Sequence, residues 1–241
     1  MGDTIQGIVI QSVRYGESSL VVKVFTRQFG LRSYMVKGAF GRSAKNRAAL
    51  FQDLNVIAYV ETGKPSPSGL GYLKDVQIGM VFRSLPFEMG KRAILMFASE
   101  MLSKTLAGHE QDTGLYDFVA QSLQWLDLVD GHYANFPVYF TLELTRHLGF
   151  YPTDNHRAGY GFDMMEGRFV ADIPAHPYCL DAELADTLHA LIGLGIDEAC
   201  RLPLRLEQRR NLLDGLIVFM RLHAPVMNGF RSHEVLKEVL R

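Results

Sequence analysis

The chain has 241 residues, 48% of them apolar and 21% charged, enough to bury a proper core in one or two compact units. Its 25 Lys and Arg against 26 Asp and Glu give a formal net charge of -1, which excludes a uniformly basic protein that coats polyanions by bulk attraction. The longest uncharged segment, 131–142, is far short of the roughly 20 residues that cross a bilayer, the N-terminus has no signal core, and two cysteines, Cys179 and Cys200, cannot build a disulfide framework; a reducing cytoplasm and no membrane are expected.

The chain begins with strand patterns. Ile8 and Ile10 alternate with Val9, and then Leu20, Val22 and Val24 share one face of a second run while Val21, Lys23 and Phe25 share the other. Thr26 to Gly30 has the length and the terminal glycine of a hairpin loop, so 31–37 should return antiparallel, with Arg32, Tyr34 and Val36 on one face. A cation then lies beside an aromatic ring. After a loop at 38–49, residues 54–61 alternate again, the prolines and glycines of 62–69 interrupt the pattern, and 70–80 supplies a fifth run. Five short strands with no helix pattern between them predict a small closed barrel of the oligonucleotide-binding (OB) type rather than a sandwich.

Near Pro86 the period changes from two to 3.6. Ile94, Phe97, Ala98, Met101, Leu102 and Leu106 form one stripe, and Leu115, Phe118, Val119, Leu123 and Leu126 repeat it. Residues 135–148 are apolar on nearly every side, Gly149 ends that helix and Pro152 prevents its restart. A two-stranded hairpin over 161–170, turned around Glu166 and Gly167, is too small to stand alone. Helical spacing resumes at 181–191, 204–222 and 232–240. The expected fold is α+β: a five-stranded OB-fold barrel over 1–80, a helical bundle over 81–150 and 180–241, and a small hairpin module over 151–179.

The charges are unevenly placed. Residues 1–80 carry ten basic and five acidic side chains, whereas 81–241 carry fifteen and twenty-one. Between Arg14 and Arg47 there are eight basic residues and one acidic one, Glu17. A positive head on a negative body can hold a polyanion at one end and avoid it elsewhere. Arg14, Lys23, Arg32, Lys37, Arg42, Lys45 and Arg47 are the candidates for phosphate contact, with Tyr34 and Phe40 as stacking partners for bases. Arg42, Lys45 and Arg47 stand out because their loop has little apolar content, so packing does not explain them. Lys23 and Arg32 lie within strands, where their stems could merely cover the barrel wall.

The run YGESSLVVKVFTRQFG, followed by Lys37-Gly38, Leu50-Phe51-Gln52, Leu73-Lys74, Glu100 and the Gly149-Phe150-Tyr151-Pro152 that closes a helix, resembles the RecO family of bacterial recombinational repair proteins. The resemblance is strongest over 5–80 and thin after 180. It implies a protein that binds single- and double-stranded DNA, anneals complementary strands, and works with RecR to load RecA onto DNA coated with single-stranded DNA-binding protein. It also implies that the helical body receives the acidic C-terminal tail of that coating protein, and it leaves open a RecF-type partner. Arg83, Lys91, Arg92, Arg146 and Arg157 are the basic residues near apolar helices that could pair with such a tail.

Many relatives hold zinc with four cysteines in the module after the Gly-Phe-x-Pro signature. Here that module has no Cys-x-x-Cys; its candidate ligands are His156, His176 and Cys179, with Asp154 or Asp163 as a fourth, and no cofactor is expected. The hairpin of Phe162 and Phe169 could replace a metal by packing its rings. No nucleophile elbow, phosphate-binding loop or His-Glu-x-x-His occurs, so an enzyme is not expected. The rival to a DNA binder is an adaptor whose helical body docks partner tails.

Overall fold

The computed structural model describes residues 3–40, 47–62, 69–107, 111–172 and 174–240. Its five N-terminal strands, β1 (Thr4–Tyr15), β2 (Ser19–Thr26), β3 (Gly30–Val36), β4 (Val56–Thr62) and β5 (Gly71–Ile78), close into a barrel in the order β1-β2-β3-β5-β4. All neighbours are antiparallel except β3 and β5, which run parallel and meet at Tyr34 and Gly71. The β2–β3 turn forms because Gly30 supplies a φ of 66° and the Thr26 hydroxyl is bonded on both sides, donating to the Gly30 carbonyl (3.0 Å) and accepting from the Phe29 N–H (3.0 Å).

Cross-strand pairing decides which face is inside. Leu20, Val22 and Val24 are buried, and they lie opposite Val36, Tyr34 and Arg32. Tyr34 therefore points into the barrel with Val36, where its hydroxyl bonds that of Tyr59 at 2.9 Å. The ring passes so close to Gly71 that a Cβ there would stand 2.8 Å from it. Alternation in the sequence shows parity only: it sets Tyr34 and Arg32 on one face without showing whether that face is core or surface. Only Arg32, next to the turn, emerges into solvent.

Helices α1 (Met89–Thr105) and α2 (Thr113–Leu128) belong to the same compact unit as the barrel, Met1–Leu128. β1 slips register between Val9 and Gln11, and the carbonyl of the intervening Ile10 accepts from Ser99 of α1 at 3.2 Å. Phe25 on the outer wall meets Tyr116 of α2, ring centroids 5.7 Å apart. Asp127, at the end of α2, fastens the segment that enters α1: its carboxylate accepts from the backbone N–H groups of Arg83, Ser84 and Leu85 at 2.8–3.0 Å. Burial opposes its charge, but these donors hold the carboxyl below the usual range. Buried Lys91 completes the network, donating to the Ser84 hydroxyl at 2.6 Å and pairing with Glu88 at 3.4 Å.

The second unit, Val129–Arg241, contains α3 (Phe136–His147), α4 (Ala182–Leu191), α5 (Ile196–Arg201), α6 (Leu206–His223) and α7 (Ser232–Val239). A small sheet of β6 (Gly161–Asp163), β7 (Arg168–Val170) and β8 (Cys179–Leu180) packs with them in the order β7-β6-β8. Gly149, at φ 85°, ends α3, and the Phe150 N–H returns to the Thr145 carbonyl at 3.0 Å. The hairpin is held by rings: Phe162 lies 5.1 Å from Phe169 and 5.6 Å from Phe219. By their internal contacts the compact units part at 128/129, and strands give way to helices near residue 80. A helical stripe shows which face is buried and not what covers it.

Candidate nucleic-acid interface

One end of the barrel is built from the β1–β2 turn, the stretch after β3 and the start of β5. Arg14 and Tyr15 close β1, the Phe40 N–H reaches the Ser18 carbonyl at 3.3 Å, and the Arg14 guanidinium sits over the Phe40 ring at 5.0 Å. Lys37 sits over Tyr72 at 5.2 Å, because parallel pairing of β3 and β5 sets Met35 opposite Tyr72. Arg47, opening a short 3-10 turn (Arg47–Phe51), donates to the Lys37 carbonyl at 3.3 Å. Arg14 donates to the Glu17 backbone carbonyl at 2.9 Å. Among the described residues none of these three cations has a carboxylate partner.

This arrangement couples positive charge to open rings. Tyr15 is 62% exposed and Phe40 45%. A cation over a ring can meet a phosphate while the ring meets a base, the two contacts a single strand offers together. Arg42 and Lys45 lie outside the described residues.

The other expected residues fall elsewhere. Lys23 is half-buried in the middle of the wall, paired with Gln11 and Ser33. Arg32 lies at the opposite end, over Phe29 at 5.7 Å. Tyr34 is 1% exposed and cannot stack on a base; burial pushes its hydroxyl pKa up. Tyr15 and Tyr72, neither of which was expected, take the place Tyr34 was given. Tyr72 could have been flagged from its position next to buried Leu73, whose parity turns it outward.

Of the basic residues expected to meet a partner, Arg83, Arg92 and Arg157 are exposed. Lys91 is fully buried in the Asp127 network and cannot reach a partner. Arg146 is engaged at home, bonded to Glu143 at 3.0 Å and lying 3.6 Å over the Tyr151 ring. A recess between α3, α6 and α7 was not anticipated: Pro137, Val138 and Leu213 line it, and Arg209, Arg210 and Lys237 surround it. Burial, and then the neighbouring Arg210, lower the pKa of Arg209.

In the small module His156 pairs with Asp186 (2.7 Å), His189 with Asp154 (3.2 Å) and His176 with Asp163 (3.4 Å). The rings of His156 and His189 stack at 4.3 Å. Burial, followed by the charge of Asp163, pushes the Cys179 thiol up. Among the described residues no group of three or more His, Cys, Asp or Glu converges as metal ligands, and no helix is long and apolar enough to cross a membrane.

Comparison with known proteins places both parts of the chain in one family. Residues 1–81 match the family described as Recombination protein O N terminal, and 87–228 match Recombination protein O C terminal. Similar curated proteins include the DNA repair protein RecO of Flavobacterium psychrophilum, 34% identical over 236 residues, and those of Christiangramia forsetii (31% over 235) and Phocaeicola vulgatus (30% over 234). Each alignment covers 97% of both chains.

Proposed function

The chain belongs to the Recombination protein O (RecO) family, and on that premise we propose that it acts in DNA repair by binding single- and double-stranded DNA at the basic end of its barrel. There it anneals complementary strands and, with RecR, helps load RecA onto DNA coated with single-stranded DNA-binding protein. The observation that carries this reading is the set of Arg14, Lys37 and Arg47, without carboxylate partners among the described residues, beside Tyr15, Phe40 and Tyr72. Phosphate contact at such a site is independent of sequence, and neutralising phosphates lowers the repulsion that keeps two strands apart. With no phosphate-binding loop in the sequence, annealing on this reading is driven by binding alone, without catalysis.

The recess between α3, α6 and α7 favours a second, compatible role. An apolar slot beside two crowded arginines suits an acidic tail ending in a large apolar side chain, such as that of the coating protein. We further propose that rings, with no zinc or other cofactor, hold the 151–179 module, and that the protein works in the bacterial cytoplasm. Metal analysis of the purified protein tests the former.

The main test is fluorescence anisotropy with a labelled single-stranded oligonucleotide over a range of salt. If about four phosphates are engaged, log affinity should fall against log salt with a slope near -3. A salt-independent isotherm would overturn the electrostatic reading.

A further inference from the structure

Within the first compact unit a cleft of about 470 Å³ opens between the connection that precedes β4 and the start of α1. Its volume falls in the range of small-molecule sites. Phe82, Pro86 and Met96 contribute apolar lining, and Asp53, Asn55 and Arg92 contribute polar lining. The polar groups are held in place. Leu54, buried between Asp53 and Asn55, has a φ of 63°, uncommon for a residue with a side chain, and its N–H bonds the Val9 carbonyl at 2.6 Å. The Asn55 side-chain nitrogen donates to the Ala49 and Leu50 carbonyls at 3.0 and 3.3 Å, which leaves its side-chain oxygen as an acceptor.

Burial pushes the Asp53 carboxyl up, and bonds with the Ser99 hydroxyl and the Ser12 backbone hold it back. A carboxylate has about four acceptor sites, so about two remain for a ligand. Arg92 supplies donors only, and among the described residues it pairs neither with Asp53 nor with any other carboxylate. A ligand in the cleft therefore meets acceptors at Asp53 and Asn55 and donors at Arg92. That excludes ligands of a single charge: a phosphate or an acidic segment would face Asp53, and a basic one would face Arg92. A flat, neutral ligand with donors on one edge, acceptors on the next and apolar faces satisfies all of the lining. A nucleobase is such a ligand, and guanine matches most fully. Its N1–H and N2–H lie side by side and can donate in parallel to one carboxylate, and its O6 and N7 take an arginine in the commonest specific contact with that base. Adenine and cytosine present one amino group, and thymine one imide N–H.

We propose that this cleft takes one guanine base, with N1–H and N2–H donating to Asp53, O6 and N7 accepting from Arg92, and the ring covered by Phe82 and Met96. The base comes either from a bound strand or from a free guanine nucleotide. The first source rests on the DNA-binding reading above, and the second does not. The strand has a short route, because the 3-10 turn Arg47–Phe51 leads from the DNA-binding end to Gln52 and Asp53, and five residues of such a turn span about 10 Å. The barrel end would then hold phosphates without regard to sequence, and the cleft would add a preference for one base.

The test uses the full chain and fluorescein-labelled oligothymidylate that carries at its centre guanine, adenine or hypoxanthine, which is guanine without the N2 amino group. Anisotropy is read at salt high enough to weaken the phosphate contacts. Guanine should tighten binding about tenfold over adenine, and hypoxanthine should lose most of that gain. Asp53→Asn should remove the preference and leave affinity for plain oligothymidylate unchanged. Arg92→Gln, on an exposed side chain, should remove the preference too, and it carries the test if Asp53→Asn lowers the melting temperature. Calorimetry with guanosine monophosphate against adenosine monophosphate reads the free nucleotide. If no oligonucleotide binds at all, the DNA-binding reading fails, while binding of guanosine monophosphate alone upholds the cleft. The proposal is overturned if neither arm distinguishes guanine from adenine, if hypoxanthine binds as well as guanine, or if the folded variants keep the preference.

Discussion

At the end of the barrel that carries the β2–β3 turn, Arg27 is locked in a bidentate pair with Asp117 of α2 (2.8 and 2.9 Å), and Arg32 covers Phe29. At the other end Arg14, Lys37 and Arg47, among the described residues, bond only carbonyl oxygens or lie over rings. Both ends have arginines and an aromatic ring, and both would look alike in a count of basic residues. What separates them is whether the protein itself supplies the anion. Charge that is already neutralised fastens a helix to the barrel; charge without an internal partner is available to something outside the chain.

The largest expected effect tests that distinction. Arg14→Glu, Lys37→Glu and Arg47→Glu together should weaken single-stranded DNA binding by about a hundredfold at low salt and make the salt slope about two units shallower. The same reversal confined to Arg32 should do far less. Equal losses from the two ends would show that the whole barrel surface binds DNA and would remove the distinction.

Next in size are the rings. Phe40→Ala and Tyr72→Ala should each cost about 1 to 3 kcal/mol of single-strand affinity while leaving the salt slope unchanged. Duplex binding, measured with the same label, should move much less because paired bases hide their faces. Parallel loss on both substrates would mean that the rings merely position Arg14 and Lys37.

The sequence made these ends only partly legible, and the reasons are specific. Alternation located the strands and the hairpin at Thr26–Gly30. It could not say that Tyr34 faces the core, because that depends on its partner Val22 across the ladder. Tyr72 escaped notice because its meeting with Lys37 needs a parallel pairing of strands far apart in the chain. Lys91 looked like a surface cation on a helix; the groups that satisfy it include the carbonyl of Asp127, 36 residues away. The helical stripes were visible, but α5 has only six residues, too few to show a period.

A smaller effect separates the barrel's inside from its working end. Tyr34→Phe removes the hydroxyl that bonds Tyr59, and it should lower stability in a urea titration by about 1 kcal/mol. DNA affinity should not change. A clear loss of DNA binding from this substitution would mean that the interior of the barrel, and not the rings at its end, meets the bases.

The smallest effect belongs to the neutralised end. Arg27→Ala should leave DNA affinity unchanged and shift the melting temperature only slightly, since both partners of the pair are half exposed and screened by solvent. The hydrogen bond and charge of Arg27 hold Asp117 below its ordinary value of 3.8. The folded carboxyl therefore binds its proton less readily than the unfolded one, and the pair's contribution is fully present above that value and fades as pH falls through the lower, folded one. Wild type and Arg27→Ala should accordingly differ most near neutral pH and converge in acid. A gap that persists in acid would mean that Arg27 fastens α2 through its packing rather than its charge, and the two ends would then differ in their neighbours more than in their electrostatics.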